Sequence, residues 1–163
     1  MAGCIAVSTR EWLALFAADF HDPIFVTLVL KERMVSPVGG VILQSPEIAR
    51  SEIKRFTNRI DRTIYGPGVQ RYQLRVRRIP VLEYGVDRGW HCHMLIERPE
   101  RVLEVRFRHI IRSEWSKSPW AAGFHTRGAN SAAVDYLTKE RSKAKLEAWS
   151  DTLIVEAMVL DTK

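Results

Sequence analysis

The sequence predicts an α+β fold in which helices flank a central antiparallel sheet. Helical and strand-like segments follow one another without the strict alternation that a parallel sheet requires. A short turn at Asp87-Arg88-Gly89 joins two strand-like segments, which favours a β-hairpin and hence antiparallel pairing. With 163 residues, of which 46% are hydrophobic, the chain can bury a substantial core. We therefore expect a single domain over residues 1–163.

The predicted elements begin with a helix and a central strand. In order, the elements are a helix over 8–20, a strand over 25–30, a loop over 31–43, a helix over 46–64, strands over 73–84 and 90–97, a helix over 99–115, a short strand over 120–126, a helix over 132–148 and a last strand over 152–160. Ser8-Thr9-Arg10-Glu11 has the spacing of a capping box, so the first helix begins there and ends before Pro23. The β-branched run 25–30 is typical of a buried strand, and Pro37 with the glycine pair 39–40 indicates the loop that follows.

The later elements are predicted from caps, turns and apolar spacing. Ser45-Pro46-Glu47 gives the second helix a cap, a first-turn proline and an early acid, and Gly66 ends it. Residues 73–97 supply the two strands of the hairpin. Pro99 opens the next helix, whose apolar positions recur at helical spacing. The segment Gly128-Ala129-Asn130-Ser131 leads into the last long helix.

The charge and the cysteine content narrow the class of partner and the compartment. A net charge of +6 favours an anionic partner, with nucleic acid first and a membrane surface second. Cys4 and Cys92 form no disulfide framework, which favours a reducing cytosol. We see no signal-peptide pattern and no apolar run near the roughly 20 residues that span a bilayer. We therefore expect a cytoplasmic protein without a membrane partner.

A histidine pair in the second hairpin strand forms half of a candidate metal site. Side chains in a strand alternate between faces, so His91 and His93 point the same way and Cys92 points the other. The hairpin would lay Glu83 beside them as an oxygen ligand, which completes a three-residue site for a divalent cation. The alternative is that the histidines lie at the surface or are satisfied within the core.

Tyr136, in the last predicted helix, is a candidate nucleophile. Leu137 and the alanines around it form the apolar face of that helix, and Tyr136 lies off its centre. Lys139 and Lys143 share its side of the helix. A phenol, with a pKa of about 10, needs such positive charge to react at neutral pH. The alternative is an aromatic side chain that is half-buried and hydrogen-bonded at a helix edge.

These motifs, in their order along the chain, resemble those of the HUH endonucleases. The strand 25–30, then Glu83 and His91-Cys92-His93, then Tyr136-Leu137-Thr138-Lys139 are similar to the three motifs of that family, most closely in rolling-circle replication initiators. The resemblance implies a ferredoxin-like or RRM-like palm, with Mn²⁺ or Mg²⁺ held by the carboxylate and the two imidazoles. It also implies Tyr136 as nucleophile and Lys139 as its assistant. Glu140 stands where a second tyrosine could follow one turn later, so a single-tyrosine enzyme without a helicase domain is expected.

The same resemblance implies a nucleic-acid substrate and a set of partners. The expected substrate is single-stranded DNA at an origin or an extruded hairpin, with host helicase and polymerase as partners and a homodimer to complete strand transfer. The basic residues proposed to contact DNA are Arg75, Arg77, Arg127 and Lys143. Such proteins act in the cytoplasm of a cell that hosts a phage, virus or plasmid. The alternatives are a single-tyrosine transposase of the same superfamily and a non-catalytic nucleic-acid-binding α+β domain.

Overall fold

The computed structural model describes residues 9–129 together with Leu137, Ile154, Met158 and Val159, with only the backbone at Thr9 and Arg10. The helices are α1 (Thr9–Ala18), α2 (Pro46–Tyr65), α3 (Gly68–Arg71) and α4 (Glu104–Ser116). The strands are β1 (Pro23–Leu30), β2 (Arg33–Val35), β3 (Val41–Leu43), β4 (Arg78–Gly85), β5 (Gly89–Glu97) and β6 (Ala121–Gly128). Among these residues, no helix combines the length and the apolarity needed to cross a bilayer.

Four strands form one antiparallel sheet in the order β4-β5-β1-β6, and β2 and β3 form a separate hairpin. The predicted α+β class with a central antiparallel sheet and flanking helices is therefore confirmed. The register places Thr27 of β1 between His93 and His125, and it places Val29 between His91 and Gly123. Directly paired residues in an antiparallel sheet point to the same face, so these rows fix which side chains meet.

One predicted segment was wrong in its internal structure. The segment 31–43, predicted as a loop, contains the hairpin β2–β3, in which Arg33 pairs with Leu43. The glycines at 39 and 40 form its turn, with φ of 92° and 87°, so the loop signal marked only the turn. The two strands escaped prediction because each has only three residues and every residue of β3 is exposed.

Two further boundaries differ from the prediction. The strand expected from residue 73 begins at Arg78, after the short helix α3, and the helix expected from residue 99 begins at Glu104. The predicted helix 132–148 and strand 152–160 lie outside the described residues except at four positions. Of these, Leu137 is helical, and Val159 forms an isolated antiparallel bridge with Arg78.

One face of the sheet packs against α2 and α4. Alternate residues of β1 and β5 contribute to this core, with Val26, Leu28 and Met94 completely buried. The helices contribute apolar side chains at helical spacing, among them Phe56 on α2 and Phe107 on α4. This layer orients β5 so that its histidines point to the opposite face.

A buried ion pair ties α2 to the start of β4. Arg78 donates two hydrogen bonds to the Asp61 carboxylate, at 2.6 and 2.9 Å, and both side chains are almost completely buried. Asp61 also accepts a hydrogen bond of 2.9 Å from the backbone of Val76. Bidentate pairing of this kind is geometrically specific, so it fixes where the β4–β5 hairpin leaves the helical layer.

The second face of the sheet is divided between an apolar end and a polar end. Helix α1 and the segment after it place Leu13 and Phe20 in a cluster with Phe25, Ile79 and Leu95. The following rows along the strands carry polar side chains of β4, β5 and β6. The candidate site lies at this polar end.

Candidate metal centre

The hairpin β4–β5 brings the three predicted ligands together. Glu83 pairs directly with His91, and His93 lies two residues further along the same face of β5. One donor atom from each of Glu83, His91 and His93 lies within 4.8 Å of the other two. The predicted proximity of the carboxylate and the two imidazoles is thus what the structure contains.

The distances between these donor atoms suit a single small cation. The Glu83 Oε2 atom lies 3.6 Å from Nε2 of His91 and 3.4 Å from Nε2 of His93. Donors bound to one ion at about 2.1 Å lie roughly 3.0–3.4 Å apart in octahedral or tetrahedral geometry. Two imidazoles and one carboxylate suit Mn²⁺, Zn²⁺ or Fe²⁺ better than Mg²⁺, which prefers oxygen ligands. The residues present therefore fit a divalent metal.

Hydrogen bonds at the far side of each ring hold the imidazoles in place. The Nδ1 atom of His91 lies 3.1 Å from the carbonyl oxygen of Gly89, to which only a protonated Nδ1 can donate. The Nδ1 atom of His93 lies 3.0 Å from the hydroxyl of Thr27 on β1. With Nδ1 occupied, each Nε2 faces Glu83, which is how metal-binding histidines are usually oriented.

The carboxylate also changes the proton affinity of the nearer ring. A hydrogen bond with Glu83 raises the pKa of His91 above its ordinary value, although burial of the ring opposes this effect. Both rings are largely buried, with 8% of His91 and 4% of His93 exposed. A positive charge between these rings and the carboxylate is therefore favoured, whether a proton or a cation supplies it.

Gln44 holds the part of the hairpin that positions His91. Its side-chain amide donates to the Trp90 carbonyl at 3.2 Å and accepts from the Trp90 backbone N–H at 2.9 Å. The adjacent Gly89 has φ of +61°, and a Cβ there would lie 2.8 Å from Oε1 of Gln44. Only glycine fits this close approach at low cost. Gln44 thus fixes the peptide whose Gly89 carbonyl accepts from His91.

We expect Gln44→Leu to weaken Mn²⁺ binding about tenfold, at the lower end of what loss of an outer hydrogen bond costs a metal site. Leucine keeps most of the volume but cannot bond to the Trp90 backbone, so the Gly89 carbonyl loses its support. Isothermal titration calorimetry with Mn²⁺ measures the effect. Gln70→Leu, at an exposed position of α3, is the matched control. Wild-type affinity in the Gln44 variant would mean that the amide only supports the fold.

The arginines predicted to contact DNA differ in their surroundings. Arg75 donates to the carbonyls of Val69 and Leu74, and Arg77 pairs with the carboxylates of Asp19 and Glu97. Both guanidinium groups therefore have partners within the fold, and their contact with DNA stays a prediction.

Arg127 lies on β6, with its guanidinium carbon 4.7 Å from the centroid of the Phe25 ring. It is exposed at the polar end of the sheet face. Tyr136, Lys139 and Lys143 lie outside the described residues, and their roles stay predictions. Leu137, next to Tyr136 in sequence, is 3% exposed and belongs to the apolar cluster on the histidine face.

Sequence reasoning missed Thr27 and Gln44 as residues that support the site. The alternating pattern of β1 could have placed Thr27 on the histidine face, because a threonine interrupts an otherwise apolar strand. Gln44 follows an exposed strand, and no local pattern links it to Trp90, which lies 46 residues further along the chain.

The comparisons with known proteins agree with this site and fold. The sequence model of a family of replication-associated proteins, described as the ORF2 type, matches residues 23–145, which include β1, the hairpin with its histidines, and Tyr136. The chain therefore belongs to this family of replication-associated proteins. No curated protein and no solved structure matches it significantly. The replication-initiator part of the resemblance is thus confirmed, and the single-tyrosine HUH assignment stays a prediction.

Proposed function

We propose that this replication-associated protein is a single-tyrosine HUH endonuclease that nicks and rejoins single-stranded DNA to initiate rolling-circle replication. The observation that carries the proposal is the convergence of Glu83, His91 and His93 within 4.8 Å at the polar end of a sheet. Membership of a replication-associated family supplies the context in which such a centre acts on DNA.

Glu83, His91 and His93 would hold Mn²⁺ or Mg²⁺. A cation bound there would orient the scissile phosphate and neutralise the charge that develops on its non-bridging oxygens. The protein contributes rigidity, because Gly89 and Thr27 fix the two rings and the sheet fixes Glu83 opposite His91. A rigid site loses little energy to reorganisation when the substrate binds.

Tyr136 is the proposed nucleophile, and Lys139 its assistant. The position of Leu137 in the cluster with Phe25 and Leu95 supports this assignment, because residue 137 then lies on the sheet face that carries the triad. An ammonium group near a phenol lowers the pKa of the phenol and so increases the fraction of reactive phenolate. Lys143, which shares the predicted side of that helix, would add to the positive potential.

The proposed reaction is a transesterification at phosphorus. The phenolic oxygen of Tyr136 forms a bond to phosphorus while the bond from phosphorus to the 3′-oxygen breaks. The proton lost by the phenol ends on the departing 3′-oxygen, which leaves a 3′-hydroxyl for a host polymerase and a 5′-phosphotyrosine on the protein. One phosphodiester is exchanged for another of similar energy, so the reverse reaction rejoins the strand.

The proposal extends to the partners of the enzyme. A host helicase would supply single-stranded DNA, and a second copy of the chain would supply the second tyrosine that completes strand transfer. The site of action would be the cytoplasm of the cell that hosts the phage, virus or plasmid. A transposase of the same superfamily would use the same centre and differ in the DNA that it recognises.

We expect the wild-type protein to form a covalent adduct with single-stranded DNA in the presence of Mn²⁺. Labelled oligonucleotides that tile both strands of the replicon that encodes the chain provide the substrates. A denaturing gel separates the adduct, and mass spectrometry identifies the modified residue. Excess chelator provides the control and should abolish the adduct. Binding without any adduct or nick, on every oligonucleotide, would instead support a non-catalytic nucleic-acid-binding domain.

A further inference from the structure

A cavity of about 420 Å³ opens on the sheet face directly beside the triad. Its lining includes Phe25, Thr27, Arg88, His93, His125 and Arg127. His93 belongs both to this cavity and to the metal centre, so the two sites are contiguous. The volume lies within the range of about 300–1,000 Å³ that is typical of small-ligand pockets.

The charges of the two adjoining sites are sorted by sign. The residues described as lining the cavity include two arginines, two histidines and two threonines, and none of them is a carboxylate. The neighbouring triad contains the carboxylate of Glu83 and faces a cation. A concave site with only cationic and hydroxyl groups at its polar positions attracts an anion.

The cationic groups come from two separate elements that frame the cavity. Arg127 projects from β6 and stacks on Phe25, whose ring also stacks on His93 at 5.5 Å with an interplanar angle of 29°. Arg88 belongs to the turn of the β4–β5 hairpin, beyond the triad. His125 is paired with Thr27 in the sheet and so lies next to the row of His93. An anion in the cavity would therefore meet positive charge from two sides.

We infer that this cavity binds one unpaired nucleotide of the DNA strand, with its phosphate held between Arg88 and Arg127. This inference rests on the proposed function, because it takes the polymer at the triad to be DNA. The bound nucleotide lies next to the phosphate at the metal centre, and it sets the position of the strand before any chemistry occurs. The pocket accepts the nucleotide only when the base is free of a complementary strand, which gives the site its preference for single strands.

Binding of fluorescein-labelled (dT)₁₀ in excess chelator, over a series of NaCl concentrations, tests the inference. Fluorescence anisotropy compares the wild type with Arg88→Gln and with Arg88→Gln/Arg127→Gln. Each phosphate contact on a single strand contributes about 0.7 to the slope of log K against log salt. We expect the double variant to bind at least tenfold more weakly, with a slope smaller by roughly 0.7–1.4. The single variant should show part of both changes.

The matched control is Arg106→Gln/Arg112→Gln, which removes the same charge from exposed positions of α4 on the opposite side of the sheet. It should keep the wild-type slope and an affinity within about twofold, since distant surface charges are largely screened by salt. Thermal unfolding of every variant checks the fold. Arg88→Gln, at an exposed turn position, keeps the test decisive if loss of Arg127 destabilises the chain.

An unchanged affinity and slope in both cavity variants would overturn the inference. Chelator and an unreactive probe separate this outcome from the proposed chemistry. Weaker binding by the cavity variants, together with no covalent adduct in the wild type, would support the nucleotide site and remove the endonuclease. A covalent adduct in the wild type, with normal binding by the cavity variants, would support the endonuclease and remove the nucleotide site.

Discussion

The double variant His91→Ala/His93→Ala is expected to lose all Mn²⁺-dependent nicking and to bind Mn²⁺ at least 100-fold more weakly than the wild type. Changes in groups that only orient a ligand cost about 10–100-fold, so loss of two ligands should cost more. The variant leaves Glu83 as a single carboxylate, which cannot hold the ion in a defined geometry. Calorimetry with Mn²⁺ and a nicking assay measure the two effects separately.

Because both rings are buried, the alanine variant could also lose stability, so the fold needs its own control. His21→Ala/His109→Ala removes two exposed histidines and should behave as the wild type in both assays. Circular dichroism establishes whether the double variant is folded. A folded His91/His93 variant that still nicks DNA in Mn²⁺ would refute the metal role of the triad.

Tyr136→Phe is expected to abolish the covalent adduct completely while Mn²⁺ affinity and single-strand affinity stay within about twofold of the wild type. The substitution removes only the phenolic oxygen, and no other atom of the ring takes part in the proposed bond to phosphorus. Any effect on binding would have to come from one lost hydrogen bond, whose net contribution is about 0.5–1.5 kcal/mol. The measurement is the denaturing-gel assay with labelled DNA.

Tyr72→Phe is the matched control, because Tyr72 is 68% exposed and lies outside the site. It should form the adduct at the wild-type rate. Persistence of the adduct in the Tyr136 variant would show that another residue attacks the phosphate, and mass spectrometry of the linked peptide would identify that residue. The triad could then still be the metal centre, since its assignment does not depend on the tyrosine.

The central hairpin could be predicted because its information is local. The turn at Asp87-Arg88-Gly89 and the alternation along β5 determine which residues face each other, and they placed Glu83 beside His91. The sequence offered no equivalent signal for the residues that support the site. Gln44 reaches Trp90 through side-chain bonds to the backbone, which leave no periodic pattern.

Arg78 illustrates a second limit of sequence reasoning. As one of several arginines in an apparent strand, it looked like a candidate for contacts with DNA, yet it is 2% exposed. Its partner Asp61 lies 17 residues earlier, on another element. A buried charge is tolerated because it is paired, and the pairing follows from tertiary structure rather than from local composition. The cavity beside the triad has the same origin, since its cationic groups come from β6 and from the hairpin turn.

All three candidate ligands lie on one hairpin, within residues 83–93. Bringing them together closes only a short loop, so the donor set can assemble early in folding at a small entropic cost. The remaining sheet contributes the Thr27 hydroxyl to this centre. A segment with this degree of self-sufficiency can pass between related genes as one unit, while the strands and helices around it diverge to suit different replicons.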